Sequence, residues 1–380
     1  MQNFTFHNPT KVVFGKDTVR EIGPRMKACG FQNILLLAGG GSIRKNGVYQ
    51  TMAHSLKGAG MKTTELWGVR PNPLLSKVNE AIRRVKKSKA QAILAVGGGS
   101  VIDSAKAVAA GVYMKDIWAA FEEDISIKRA LPLFTVLTVS GAASEFNEWA
   151  VVTNDSENKK WAIGGPALFP VVSIVDPSVQ MSLPWKQTVY GAMDALDHIM
   201  ENYFLAHDEE ATLGINESLM NTIIKMVGLL QRNPNDYNAR ANLVWSAGLA
   251  HCGLTAVAMH GGDWGSHGIE HGISALHPEV AHGAGLAVLF PAWILYLKKE
   301  NPATFKRWAQ NVMHSTNIED AVKKFRLMLK KWKAPTTLGD LGIKPAEIKA
   351  IAANANLQGP LGQLKKLSLR DIEAILKLSL

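Results

Sequence analysis

Cysteine is almost absent: Cys29 and Cys252 are the only two in 380 residues. A pair so sparse excludes a disulfide-stapled scaffold and suits a reducing cytoplasm. Long apolar runs are missing too, since no uncharged stretch approaches the ~20 residues that cross a bilayer. The opening Met1-Gln2-Asn3-Phe4-Thr5-Phe6 has no basic segment ahead of an apolar one, so no secretory signal is expected. Acid is the scarcer sign of charge, with 32 Asp and Glu against 42 Lys and Arg and a formal charge of +10. That excess does not point to nucleic acid. The basic residues are dispersed, and the short clusters Arg83-Arg84-Val85-Lys86-Lys87, Lys323-Lys324 and Lys330-Lys331-Trp332-Lys333 lie on helical patterns as solvated faces. A basic surface does attract an anionic cofactor. The zinc-protease pattern H-E-x-x-H is also lacking, which removes metalloprotease chemistry.

What is present describes a globular chain of 47% hydrophobic and 19% charged residues. Its length exceeds one ordinary core, so two domains are expected. In the first half, Asn33–Ala38, Gln91–Val96, Leu133–Val139 and Val171–Asp176 are apolar on both faces, as strands buried between helices are. Leu75–Lys87 and Val101–Val112 carry helical spacing between them. This predicts an α/β domain over 1–183 with a doubly wound, mainly parallel sheet of Rossmann-like type. From Pro184 onward the periodicity is helical, so 184–380 is expected to be all-α.

Gly97-Gly98-Gly99-Ser100 follows one strand and opens a helix. Glycines there let backbone approach a pyrophosphate, and the helix start supplies N–H donors and a positive dipole. The run is not G-x-G-x-x-G, and a tight strand-to-helix turn explains it equally well without context. Gly39-Gly40-Gly41-Ser42-Ile43-Arg44-Lys45 follows another strand. No acid succeeds that strand to accept from a ribose 2′-hydroxyl, whereas a hydroxyl and two cations suit a 2′-phosphate, which favours NADP(H) over NAD(H). A basic surface loop is the competing explanation.

Asp194 and His198 are four apart in a helical stretch and share a face. Six of the 11 histidines, His251, His260, His267, His271, His277 and His282, fall within 251–282. One carboxylate and three imidazoles make a four-donor set for Fe²⁺ or Zn²⁺. More imidazoles are available than one ion needs. His251 and His260 read as helix-packing or capping residues, His277 as a loop residue before Pro278, and Asp197 as a solvated carboxylate or one that supports a ligand.

With these residues in view, the sequence resembles the iron-containing (group III) alcohol dehydrogenase family, in its NADPH-dependent aldehyde reductase and butanol dehydrogenase branch. The likeness runs from Phe6-His7-Asn8-Pro9-Thr10-Lys11-Val12-Val13-Phe14-Gly15 through Pro71-Asn72-Pro73, Gly97-Gly98-Gly99-Ser100-Val101-Ile102-Asp103, Ser144-Glu145 and Asp176-Pro177 to the Asp/His set. It implies a dehydroquinate-synthase-like fold and hydride transfer between NADP(H) and small aldehydes or primary alcohols, with one divalent ion, Fe²⁺ or Zn²⁺. The family's metal ligands fall on Asp194, His198, His267 and His282, and His271 matches the histidine beside nicotinamide and substrate. Cofactor contacts fall on Gly40, Gly41, Ser42, Gly97, Gly98, Gly99, Ser100, Asp103, Thr138, Ser144 and Lys160; Asp103 is also a catalytic candidate. Asn147 and Trp149 are candidate substrate-pocket residues, as are the segments around Trp185 and Val257. The resemblance also implies a homodimer through the strand around Lys11-Val12-Val13, with no nucleic-acid or membrane partner. One departure is clear: the family's Thr-Gly-Ser-Glu is Ala142-Ala143-Ser144-Glu145 here. A glycerol dehydrogenase or a dehydroquinate-synthase-like lyase on the same architecture is the rival enzyme. A silent metal-binding scaffold is the rival of a different class.

Overall fold

The computed structural model of the chain describes residues 1–259 and 261–380. It divides into two compact units, one of His7–Leu183 with Asn235–Val244, the other of Met1–Phe6, Pro184–Pro234 and Trp245–Leu380. The strands are β1 (Lys11–Phe14), β2 (Asn33–Ala38), β3 (Lys62–Leu66), β4 (Ala92–Gly97), β5 (Leu133–Leu137), β6 (Trp149–Asn154), β7 (Lys159–Gly164) and β8 (Val172–Val175). Six of them form one parallel sheet in the order β1-β8-β5-β4-β2-β3, while β6 and β7 form an antiparallel hairpin. The α/β unit also holds α1 (Ile22–Ala28), α2 (Ser42–Lys45), α3 (Val48–Gly58), α4 (Leu75–Ser88), α5 (Gly99–Gly111) and α6 (Trp118–Glu122).

Strict alternation along each strand explains why both sheet faces are covered. Leu35, Leu37, Ile93, Ala95, Leu133 and Leu137 pack in one core with residues of α4 and α5. Ile34, Leu36, Leu94, Val96, Phe134 and Ile174 pack in the other with residues of α1 and α3. Each fully buried Leu, Ile or Phe contributes roughly 1.5–3 kcal/mol. The expected buried strands are present; that expected over Leu133–Val139 stops at Leu137, and the helix expected from Val101 starts at Gly99. The sequence reading did not pick out β3 or the β6–β7 hairpin. In β3, Lys-Thr-Thr-Glu-Leu, only Leu66 is buried, so the apolar signal is missing from this edge strand.

The chain continues through α7 (Trp185–Tyr203), α8 (Glu210–Arg232), α9 (Tyr237–Leu249), α10 (Gly265–Leu276), α11 (His282–Leu297), α12 (Pro302–Asn311), α13 (Ile318–Lys331), α14 (Ile348–Ala355) and α15 (Leu369–Lys377). Among the described residues no helix is long and apolar enough to cross a membrane.

Close approaches at glycine join α11 to α7 and α10 to α14. A Cβ on Gly283 would lie 2.1 Å from the Tyr190 carbonyl oxygen, so α11 touches α7 backbone to backbone. A Cβ on Gly272 would lie 2.8 Å from the Ala355 Cβ, and α10 meets α14 in the same way.

In an open helix Gly→Ala stabilises by up to ~1 kcal/mol. At position 283 the methyl has no room, so Gly283→Ala is expected to destabilise by about 1–3 kcal/mol. The denaturant midpoint reads this, and an unchanged or raised midpoint would refute the close contact.

Candidate active site

The helix α7 turns one face toward its own unit's interior. Asp194, Asp197, His198 and Glu201 fall at i, i+3, i+4 and i+7, the spacing that lines up side chains on a helix, and all four are buried. The histidines come from α10 and α11. His267 Nε2 lies 4.0 Å and His282 Nε2 lies 3.7 Å from Asp194 Oδ1. One donor atom from each of Asp194, His267 and His282 falls within a common 4.8 Å. His198 stands beside this trio. Its Nδ1 is 2.8 Å from the Asp194 carbonyl and 3.3 Å from Asp194 Oδ1, and its ring centroid is 4.6 Å from that of His267. With Nδ1–H donating to the carbonyl, Nε2 is the nitrogen left to bind an ion. Burial pushes the His198 imidazole pKa down, which favours the neutral, ligating form.

Whether these residues fit a divalent cation is tested by their charges. Among the described residues Asp194 Oδ1 has no hydrogen-bond donor although it is buried, and the ion pairs of Asp194, Asp197 and Glu201 are all with histidines. Burial, aided by neighbouring carboxylates, pushes the Asp197 carboxyl well up, and burial also raises Glu201. Buried carboxyls crowded against imidazoles, with no Lys or Arg among their ion pairs in the described residues, are what a 2+ ion relieves. The set fits.

His271, half-buried, has its ring centroid 5.6 Å from that of His282. One atom each of Glu270, His271 and His282 forms a second group within 4.8 Å. His251 stacks on His198 at 4.4 Å, while His277 pairs with Glu347 at 3.0 Å and Glu279 at 3.4 Å. His260 lies outside the described residues. Asp197 is fully buried and accepts from Ser266 Oγ, so it is not solvated. Trp185 opens α7 and donates Nε1–H to the Trp332 carbonyl, and the Val257 carbonyl accepts from Thr212 Oγ1.

In the α/β unit, Gly97-Gly98-Gly99 closes β4 and starts α5. A Cβ on Gly98 or Gly99 would come within 3.0 Å of Val139 or Ala142. Packing therefore requires bare backbone here, and the first N–H groups of α5 are left without intrahelical acceptors, as at every helix start. The Thr138 amide donates to the Gly97 carbonyl. Asp103 Oδ1 accepts from Ser144 Oγ at 2.6 Å and Oδ2 from the Val151 amide at 3.1 Å, so both oxygens are bonded within the unit. Lys160 Nζ donates to Asn72 Oδ1 at 3.1 Å. Asn147 is bonded to Lys106, the Trp149 amide and the Ala142 carbonyl, whereas Trp149 is 45% exposed.

The turn after β2 is open: a Cβ on Gly40 or Gly41 would meet nothing within 4 Å, and Gly41 has φ 105°. Ser42 begins α2 there. The fold also brings an acid to this turn that sequence order concealed. Glu65 of β3 lies 3.9 Å from the Arg44 guanidinium and accepts from Tyr49 Oη at 2.7 Å and Trp67 Nε1 at 2.8 Å. Arg44 itself lies 4.0 Å over the Trp67 ring.

Comparison with known proteins places this arrangement. Residues 9–177 match the model of the iron-containing alcohol dehydrogenase, and 188–380 match the C-terminal model of the Fe-containing alcohol dehydrogenase family. This chain belongs to the iron-containing alcohol dehydrogenase family. It is 38% identical, over the full length of both chains, to a probable NADH-dependent butanol dehydrogenase 1 of Bacillus subtilis. It is 31% identical to the NADPH-dependent aldehyde reductase YqhD of Escherichia coli, covering 92% of each. The crystal structure of NADH-dependent butanol dehydrogenase A from Thermotoga maritima superposes with a TM-score of 0.98 at 47% identity, covering 100% of this chain and 99% of that one. The fold is thus the family's Rossmann-like α/β domain with a helical C-terminal domain, as the sequence reading expected. Like the family, the chain is an alcohol and aldehyde oxidoreductase that uses a divalent metal and a nicotinamide cofactor.

Four residues of this family member escaped the sequence reading. Glu201 and Glu270 bond His267 and His282 respectively. Trp264, in left-handed backbone (φ 59°), walls the imidazoles of His198, His251 and His267. Lys106 is fully buried and donates to the Asn147 carbonyl, Asn147 Oδ1 and the Trp149 carbonyl at 2.7–2.9 Å. Of these, Glu201 had a local signal, lying seven residues after Asp194 on the same helical face.

Burial lowers the Lys106 pKa to about 8 from 10.5. Between those values the unfolded chain holds a proton that the folded chain has released, so this group makes stability rise with pH across that window and lends nothing to the slope below it. Lys106→Met is expected to lose about 2–4 kcal/mol at pH 7 through unsatisfied buried acceptors. It should also flatten stability against pH between about 8 and 10.5, where the wild type is steeper. Denaturant titrations at several pH values measure both, and parallel wild-type and variant profiles would refute the assignment.

Proposed function

We propose that the chain reduces short- to medium-chain aldehydes to primary alcohols, with NADP(H) as coenzyme and Asp194, His198, His267 and His282 as the metal ligands. The observation that carries this reading is the buried, donor-less Asp194 Oδ1 faced by His267 and His282. When bound, a divalent ion supplies Lewis-acid stabilisation of the oxygen as nicotinamide supplies the hydride. The remaining tasks belong to side chains and backbone. The open turn at Gly40, Gly41 and Ser42 accommodates the adenosine end. The N-terminal amides of α5, at Gly99 and Ser100, receive the pyrophosphate. Asp103, Ser144 and Thr138 hold that turn and its neighbouring loop in shape, and Lys160 reaches Asn72. His271 delivers the proton that completes the alcohol, directly or through water. Trp149 offers an apolar wall to substrate, and the bonded Asn147 fixes its position. The similarity to a butanol dehydrogenase and an aldehyde reductase supports a small to medium aliphatic substrate.

For the coenzyme a second reading has its own observation. The Glu65 carboxylate beside Arg44 partly cancels the cation that would meet a 2′-phosphate, and two of the relatives quoted are named NADH-dependent. We also propose a cytoplasmic homodimer, in which the sheet-edge strand β1 pairs across a two-fold axis.

Replacing Asp194 or His267 with Ala is expected to abolish bound metal and butanal reduction together while coenzyme still binds. His271→Ala should keep the metal, lower kcat and remove an ionisation from the pH–rate profile. Metal analysis, coenzyme fluorescence and turnover read these arms; full activity after exhaustive chelation would end the metal reading. Separately, kcat/KM with NADPH is expected to exceed that with NADH, and Glu65→Gln should raise the NADPH value. A wild-type preference for NADH would decide for the second reading.

A further inference from the structure

Each imidazole of the proposed metal set uses its Nδ1 on the protein, but the acceptors are not alike. His198 meets a backbone carbonyl, that of Asp194, at 2.8 Å. His267 Nδ1 lies 3.1 Å from Glu201 Oε1, and His282 Nδ1 is bonded to Glu270 Oε2. Both glutamates are fully buried, and each is itself held. Glu201 Oε1 also accepts from Ser266 Oγ at 2.6 Å and the His267 amide at 3.2 Å, so one oxygen fixes both ring and backbone at the start of α10. Glu270 is confined by α11: a Cβ on Gly285 would lie 2.7 Å from Glu270 Cγ and 3.1 Å from its Oε1.

We infer that Glu201 and Glu270 are positioning residues that set the affinity of this site for its ion. A carboxylate only accepts, so each one fixes Nδ1–H on its histidine and leaves the Nε2 lone pair for the metal. The same contact makes the imidazole a stronger donor, and removing such a partner typically weakens metal binding 10–100-fold. His267 and His282 are therefore the strong ligands, and His198, with its carbonyl partner, the weaker one. The inference rests on the proposed ligand set.

The test uses full-length wild type, Glu201→Gln and Glu270→Gln, stripped of metal and titrated with Zn²⁺ against a competing chelator, then with Co²⁺ followed by visible absorption. Both substitutions keep shape and remove charge. The expected result is a 10–100-fold rise in the Zn²⁺ Kd for each variant and an altered Co²⁺ spectrum, with coenzyme binding unchanged. Wild-type affinity and spectrum in a variant would overturn the inference and leave the ligand assignment standing. A wild type that binds no Zn²⁺ would instead sink the metal reading itself. The two pairs are separate, so either variant alone decides if the other does not fold.

Discussion

The helical unit is organised around a cost: the burial of negative charge. Asp194, Asp197, Glu201 and Glu270 are all at or below 7% exposed. Taking one carboxylate out of water costs several kcal/mol even after relaxation. Hydrogen bonds from Ser266, the His267 amide and two imidazoles offset part of this at Asp197, Glu201 and Glu270. Asp194 Oδ1 receives none among the described residues. A cation bound among these carboxyls and imidazoles would stabilise the folded chain, so metal affinity and folding stability are coupled there.

Gathering these groups demands unusual backbone. Helices normally pack 8–10 Å apart, but Gly283 brings α11 onto the Tyr190 carbonyl of α7, and Gly285 gives Glu270 its space. Trp264 adopts left-handed geometry one residue before α10 and lays its ring against three imidazoles. Such geometry in a bulky residue costs of order 1–3 kcal/mol and persists only where surrounding structure fixes it. Two of the fixing contacts here, His198 and His267, belong to the proposed metal set.

The sequence disclosed what local spacing encodes. Buried parallel strands show as continuous apolar runs, and the Asp194–His198 and His267–His271 pairs show as one-turn spacings. It concealed what the tertiary structure assembles. Glu65 is 21 residues from Arg44 in sequence and invisible to a search for an acid after β2, yet the β2–β3 pairing places it 3.9 Å from that guanidinium. Glu201 and Glu270 read as ordinary helical glutamates until α7, α10 and α11 are packed. Lys106 carries no sequence mark of its burial, and β3 and the β6–β7 hairpin lack the apolar run that marks a central strand. Only Glu201, seven residues after Asp194 on α7, shares a spacing that could have marked it; the His282, Arg44 and Asn147 that Glu270, Glu65 and Lys106 meet are distant in sequence.

The family's Thr-Gly-Ser-Glu becomes Ala142-Ala143-Ser144-Glu145, and the structure indicates what that exchange leaves intact. Ala143 has φ 50°, the left-handed conformation where glycine is free and alanine is strained by roughly 1–2 kcal/mol. Several bonds hold the loop in this conformation. The Phe146 amide donates to the Ala143 carbonyl, Asn147 Nδ2 to that of Ala142, Ser144 Oγ to Asp103, and Lys106 holds Asn147 and Trp149. Charge-assisted bonds such as those of Lys106 contribute about 1.5–3 kcal/mol each, enough to outweigh the strain. The exchange removes a hydroxyl, and the remaining Ser144 hydroxyl is committed to Asp103. The phosphate contact proposed at this turn would then fall to the amides at the start of α5, whose direction is fixed by helix geometry and which no side-chain substitution can delete.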